Sequence, residues 1–270
     1  MSYPIKAVIF DWAGTMVDFG CMAPVDALIE AFAAHGVAIT AADARRDMGR
    51  AKWDHVWAIL SDPVVAAAWA QAKGALPTTA DGDAIYRALE PLIEAAATRC
   101  AELIPGAAQI ASELKDLGVR IGSGTGYTRQ MMSGILSRAA EQGYMPEVVV
   151  CAGETPSGRP APLMAWKALI ELDAWPAQAC VKVDDATVGI EEGRLAGCWT
   201  IGLAASGNGV GLNLEDYLAL AEPERARRVA ASAGELKAAG ADYVIDTIAD
   251  LGHLLKIVAA RIAAGERPGG

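Results

Sequence analysis

The chain has 270 residues, 53% of them hydrophobic, enough for one sizeable domain or for a core with a smaller insert. A net charge of -10 argues against a nucleic-acid partner held by its phosphate backbone, yet leaves room for a small anion gripped by a local cluster of donors. No apolar run reaches bilayer-spanning length, and Met1-Ser2-Tyr3-Pro4-Ile5-Lys6 lacks the charged and apolar regions of a secretory leader, so a cytoplasmic protein without a membrane partner is expected.

In chain order, the first element is a short apolar run, Ala7-Val8-Ile9-Phe10, the pattern of a buried parallel strand. From about Met22 to Cys100 the periodicity is helical only, with helices predicted over Pro24 to His35, Ala41 to Leu60, Val64 to Lys73 and Asp81 to Cys100. Thr40 is the predicted N-cap of the second, with Asp43 completing an imperfect capping box. Beyond it, helices over Ala107 to Leu117 and Leu163 to Glu171 alternate with strands at Val119 to Gly122, Val148 to Cys151, Cys180 to Val183 and Trp199 to Leu203. A charged helical stretch follows from Leu214 to Ala239, with a helix start at Glu222-Pro223-Glu224-Arg225. Tyr243 to Ile245 is a further strand, and Arg267-Pro268-Gly269-Gly270 reads as a frayed tail.

Strands alternating with helices predict an α/β fold, a Rossmann-like parallel sheet covered on both faces. The helical stretch after the first strand is expected to be an inserted cap. The division is then an α/β core of residues 1–20 and 101–270 and a helical cap of residues 21–100. No internal repeat is visible. The five cysteines, Cys21, Cys100, Cys151, Cys180 and Cys198, form no C-x-x-C pair, and most are expected to be buried free thiols. The three histidines are too dispersed for a histidine-built metal site.

Ligands of an open parallel sheet bind beyond the carboxyl ends of its strands. The residues there are Asp11-Trp12-Ala13-Gly14-Thr15 after the first strand and Ser123-Gly124-Thr125-Gly126-Tyr127-Thr128 after the second. Gly158-Arg159-Pro160 follows the third, and Asp184-Asp185 the fourth. Carboxylates, hydroxyls, glycine-exposed N–H groups and a cation together suit a phosphoryl group and a magnesium ion. A single aspartate after a strand is more often a helix cap than a nucleophile, and the alternatives to a site role are a capping pair for Asp184-Asp185 and a surface loop residue for Arg159. Four strand ends agreeing reverse that weighting.

These residues resemble the four motifs of the haloacid dehalogenase superfamily. Asp11 to Thr15 matches motif I, Thr125 motif II, Arg159 motif III (where lysine is commoner) and Asp184-Asp185 motif IV. The insert between motifs I and II is that of subclass I. The second aspartate of motif I, which protonates an ester leaving group, is Ala13 here. The longer strings resemble the phosphonatase family. They are Phe10 to Thr15 with Gly20-Cys21 and Ala23-Pro24, Met48-Gly49-x-x-Lys52-x-Asp54-His55, Thr125 to Arg129, Gly158 to Pro160, and Val183 to Asp185 with Gly193-x-x-x-Gly197.

The resemblance implies cleavage of a carbon–phosphorus bond in 2-aminoethylphosphonate degradation, with Asp11 as nucleophile. Lys52 forms a Schiff base with the substrate aldehyde, so the leaving carbon departs as an enamine and needs no acid at position 13. Thr125, Gly126, Tyr127 and Arg159 would hold the phosphoryl group, with Met48, His55 and Cys21 near the substrate. Magnesium would be held by Asp11, the Ala13 backbone carbonyl and Asp185 or Asp184. A homodimer is also implied, with Trp53 and Trp57 packing either inside the cap or between two caps. If residues from Met48 form one continuous helix, Met48, Lys52 and His55 share a face at i, i+4 and i+7. The competing readings are a phosphate-ester phosphatase or phosphomutase, which would need an acid near Ala13, and a non-catalytic binding protein, which would have no need of Asp11.

Overall fold

The computed structural model describes residues 3–269. Met1 and Ser2 of the expected leaderless start, and Gly270 of the expected frayed tail, lie outside the described residues. Within that tail the Gly269 N–H donates to Asp242 Oδ1 at 2.6 Å.

The strands are β1 (Ala7–Phe10), β2 (Arg120–Gly124), β3 (Val148–Val150), β4 (Cys180–Asp184), β5 (Trp199–Leu203) and β6 (Tyr243–Ile245). They form one parallel sheet in the order β3-β2-β1-β4-β5-β6. The chain leaves β1 toward β2 and β3, then returns to β4 on the other side, so the strand order reverses at β1. Phe10 stands beside Ser123 of β2 and Val183 of β4. This register delivers Asp11, Gly124 and Asp184 to one level of the carboxyl edge, where a switch point makes a binding crevice. Ser123-Gly124 and Asp184, expected just beyond their strands, are the last rungs of β2 and β4.

Between β1 and β2 lie five helices, α1 (Met22–Ala34), α2 (Ala41–Arg45), α3 (Lys52–Ser61), α4 (Pro63–Lys73) and α5 (Thr79–Arg99). The α5 residues Ile85, Leu89 and Ile93, spaced by one turn, are fully buried, and α5 packs on α1 and α3. Each such side chain contributes about 1.5–3 kcal/mol on burial. Around the sheet run α6 (Ala107–Asp116), α7 (Arg129–Glu141), α8 (Leu163–Glu171), α9 (Thr187–Ala196), α10 (Leu214–Ala219), α11 (Glu222–Ala238) and α12 (Leu251–Ala263).

One expected helix is broken. The stretch from Ala41 to Leu60 is α2 and α3 separated by a turn at residues 46–51, because Gly49 takes φ +92, a left-handed conformation that ends a helix. Met48 therefore does not share a helix face with Lys52 and His55; the turn brings it to the site. The Thr40 cap is as expected: its Oγ1 accepts from the Asp43 N–H at 3.1 Å, and its own N–H donates to Asp43 Oδ2 at 2.9 Å. The stretch from Leu214 to Ala239 is α10, capped by Asn213, and α11, which starts at Glu222 as expected, with Pro223 in its first turn.

Candidate active site

Asp11 directly follows β1 and is almost wholly buried. Arg159, buried behind it, donates from Nη1 to Asp11 Oδ1 at 2.7 Å, from Nη2 to Gly124 O at 2.8 Å and from Nε to Glu192 Oε2 at 2.9 Å. Lys182, from the middle of β4, donates to Asp184 Oδ2 at 2.7 Å and lies 3.5 Å from Glu192 Oε2. Asp185 accepts from the Asn208 N–H at 2.8 Å, Thr15 Oγ1 at 3.2 Å and Cys21 Sγ at 3.3 Å. Gly14 permits this approach. A Cβ there would lie 2.5 Å from Asp185 Oδ2 and 2.6 Å from Cys21 Sγ.

Asp11, Asp184 and Asp185 bring carboxylate oxygens within 4.8 Å of one another. With Glu192 they set four buried carboxylates against the two buried cations that pair with them, Arg159 and Lys182, and the nearby Lys52. Burial first, and Asp184 second, push the Asp11 carboxyl up to about 6. Burial, then Asp11 and Asp184, push Asp185 up to about 7. Asp184 goes the other way; burial alone would raise it, but Lys182 and Arg159 hold it below the usual range. The surplus negative charge and the all-oxygen donor set fit a divalent cation.

Lys52 is the first residue of α3 and is 3% exposed. Its Nζ lies 5.1 Å from the centre of the Tyr127 ring. Burial lowers its pKa to about 8, against the pull of Asp11, and the positive end of the α3 dipole acts in the same direction as burial. A small cavity of about 20 Å³ is lined by Asp11, Ala13, Cys21, Met48, Lys52, Thr125, Gly126, Tyr127 and Asp185, among others. The Tyr127 hydroxyl is buried without a hydrogen-bond partner. Its N–H donates to Thr125 Oγ1 at 3.1 Å. The helix that follows Thr125 begins only at Arg129, capped by Thr128. Arg159 and His55 stand outside the cavity lining. His55 is fully buried, and burial with Lys52 nearby pushes its imidazole down to about 3, so it is neutral. Trp53 and Trp57 stack on each other at 6.1 Å, and Trp53 Nε1 donates to Asp83 Oδ1 at 2.7 Å.

A family model for haloacid dehalogenase-like hydrolases matches residues 5–197. The phosphonoacetaldehyde hydrolase of Paraburkholderia phytofirmans is 49% identical over 264 residues, covering 98% of this chain and 99% of that protein. The chain belongs to the phosphonoacetaldehyde hydrolase family. The family member from Paraburkholderia xenovorans is 48% identical over the same shares of the two chains. A phosphonoacetaldehyde hydrolase-like protein from Oleispira antarctica has a crystal structure that matches with a TM-score of 0.97 at 41% identity, over 98% of this chain and 96% of that one.

Among the residues that surround the site carboxylates, sequence reasoning missed Glu192, Lys182, Asn208 and Ser206. A lysine inside the apolar run Cys180-Val181-Lys182-Val183 was a signal, since a charge in a buried strand needs a buried partner. Asn208 and Ser206 follow β5 as Ala204-Ala205-Ser206-Gly207-Asn208-Gly209, and the strand-end rule applied to that strand would have found them.

Proposed function

We propose that this protein hydrolyses the carbon–phosphorus bond of phosphonoacetaldehyde to acetaldehyde and phosphate, with Asp11 as nucleophile and Lys52 as the imine-forming amine. The observation that carries the reading is that Asp11 and a buried Lys52 with a depressed pKa line one cavity, next to Ala13. Neutral Lys52 attacks the aldehyde and water leaves. Asp11 then attacks phosphorus while the carbon–phosphorus electron pair moves into the protonated imine, giving an enamine and an aspartyl-phosphate. Protonation and hydrolysis of the enamine free acetaldehyde and Lys52, and a second water releases phosphate from Asp11. The carbon leaves as an enamine, so an alanine suffices at position 13.

Arg159 neutralises charge on Asp11 and the phosphoryl group, and Thr125, Gly126 and Tyr127 hold the phosphoryl oxygens. Met48 keeps water from the amine, Cys21 orients Asp185, and neutral His55 is suited to relaying protons beside Lys52. Mg2+ held by Asp11, the Ala13 carbonyl and Asp185 or Asp184 would supply positive charge for an anionic nucleophile meeting an anionic substrate. Residues 21–100 are read as a cap on a core of residues 1–20 and 101–270. A cavity of about 20 Å³ is scarcely larger than one water, so the cap must lift for substrate to enter. A cytoplasmic homodimer is part of the proposal, on the family resemblance. No helix of the described residues is long and apolar enough to cross a membrane.

The test supplies phosphonoacetaldehyde and Mg2+ and follows acetaldehyde with an aldehyde-reducing enzyme, alongside Asp11→Asn, which should be inactive. Borohydride added with substrate should trap an adduct on Lys52. Turnover of simple phosphate esters without acetaldehyde release would sink the reading, and activity with Lys52 unmodified would sink the imine.

A further inference from the structure

The chain after β5 turns back across the strand ends. Ser206 Oγ donates to Gly14 O at 2.8 Å, and Ser206 O accepts from the Gly20 N–H at 2.8 Å. A Cβ at Gly207 would lie 2.3 Å from Asp185 Cβ, so the backbone passes close enough for the Asn208 N–H to reach Asp185 Oδ2. The Asn208 side chain serves a different element. Its Oδ1 accepts from Arg45 Nη1 at 3.2 Å, and its Nδ2 donates to Arg45 O at 3.0 Å. Arg45, the last residue of α2, also donates to Gly20 O at 2.8 Å and Gly211 O at 3.0 Å. A Cβ at Gly211 would lie 2.8 Å from Arg45 Nε.

We propose that Arg45 and Asn208 form a latch that holds the helical insert closed on the core and, through the Asn208 N–H, sets the orientation of Asp185. The proposal rests on the reading that residues 21–100 open and close. Each bond to the latch comes from the end of one helix, so lifting α2 breaks them together. Arg45 then loses three acceptors, and the Asn208 amide loses both its partners. The loop carrying the Asn208 N–H is thereby released, and Asp185 Oδ2 loses the shorter of its two hydrogen bonds, the other being from Cys21 Sγ. A guanidinium suits this seat because its planar fork reaches several acceptors at once, which an ammonium does not. Neither residue lines the small reaction cavity; both are positioning residues.

The experiment compares full-length wild type, Asn208→Ala, Arg45→Ala, Arg45→Lys and the double alanine variant. Without substrate, alkylation of Cys21 by iodoacetamide is followed by peptide mass spectrometry, since Cys21 lines the closed cavity and is 1% exposed. Mg2+ affinity is measured by calorimetry, and kcat and KM with phosphonoacetaldehyde. The latch predicts Cys21 labelling at least fivefold faster in each alanine variant, with the Mg2+ Kd raised at least threefold and kcat/KM lowered at least tenfold. Arg45→Lys should fall between wild type and Arg45→Ala. The double variant should match the worse single variant within twofold, because the partners share one interaction. Cys21 labelling at the wild-type rate, or single effects that multiply in the double variant, overturns the latch. Labelling needs no turnover, so it tests the latch even if phosphonoacetaldehyde is not a substrate. If Arg45→Ala does not fold, Asn208→Ala carries the test, since it removes only a half-buried amide.

Discussion

Gly126→Ala is the most direct probe of how the insert meets the core. A Cβ at Gly126 would stand 2.4 Å from Arg50 O, 3.0 Å from Arg50 C and 3.2 Å from Gly49 O. These neighbours are backbone atoms of the turn between α2 and α3, so no rotamer change relieves the clash. Gly126 does not have a positive φ, so alanine brings no backbone strain and keeps the N–H. Reaching ordinary contact at about 3.5 Å takes a shift of about 1 Å in the turn that carries Met48 and leads into Lys52. Overpacking of this kind costs roughly 1–3 kcal/mol, and on the proposed opening of residues 21–100 it falls on the closed arrangement alone. With tenfold per 1.4 kcal/mol, kcat/KM should fall about 5- to 140-fold while the thermal midpoint changes little. Gly158→Ala is the matched control, since its Cβ would meet Ala51 Cβ at 3.5 Å, an ordinary contact. The assay is steady-state acetaldehyde release with both variants beside differential scanning fluorimetry. Gly126→Ala within twofold of wild type, or an equal loss in both variants, would refute this reasoning.

The remaining predictions concern charge. In metal-free protein the raised Asp11 and Asp185 carboxyls favour low pH: their stabilising protonation is complete below about pH 4 and is lost as pH rises through about 6 and 7. Mg2+ should therefore raise the thermal midpoint by at least twice as much at pH 8 as at pH 5.5, and a pH-independent shift would contradict the carboxylate assignment. With Lys52 at about 8, kcat/KM should rise with pH and level off above about 8; a rise continuing past pH 10 would indicate an unperturbed lysine. Ala13→Asp should move that levelling point upward, and an unmoved profile would remove the electrostatic role of position 13. Glu192→Gln removes the buried carboxylate that contacts both Arg159 and Lys182 and should cost about 3 kcal/mol in urea unfolding, with a loss below 1 kcal/mol counting against the buried network.

What was legible in the sequence was whatever local chemistry controls. The strands were found because apolar β-branched runs between helical segments mean a buried parallel sheet, and Trp199–Leu203 and Tyr243–Ile245 fall where the runs placed them. The Thr40–Asp43 cap was legible because both partners lie within one helical turn. The break at residues 46–51 was not, since one glycine in a helical pattern is tolerated as often as it ends a helix. Only the packed structure, with the turn against Gly126 and Val188, decides it. Partners far apart in sequence were hidden for the same reason. Arg159–Glu192 and Arg45–Asn208 join residues 33 and 163 positions apart, and no periodicity links them.

The buried charges also bear on why position 13 carries no acid. Ala13 lines the same cavity as Asp11, Lys52 and Asp185. The carboxylates already outnumber the two fixed cations around them, and Asp11 alone pulls the Lys52 pKa upward. A further carboxylate at position 13 would add to that pull and leave less of the neutral amine that imine formation consumes. It would also press Asp11 and Asp185 further toward protonation, weakening both the nucleophile and the cation site. An ester-cleaving relative must bear those costs, because an alkoxide leaving group needs its proton. In the proposed mechanism the leaving group is an enamine and needs none, so a methyl group in place of the acid removes a function that chemistry does not need and leaves more of the lysine neutral.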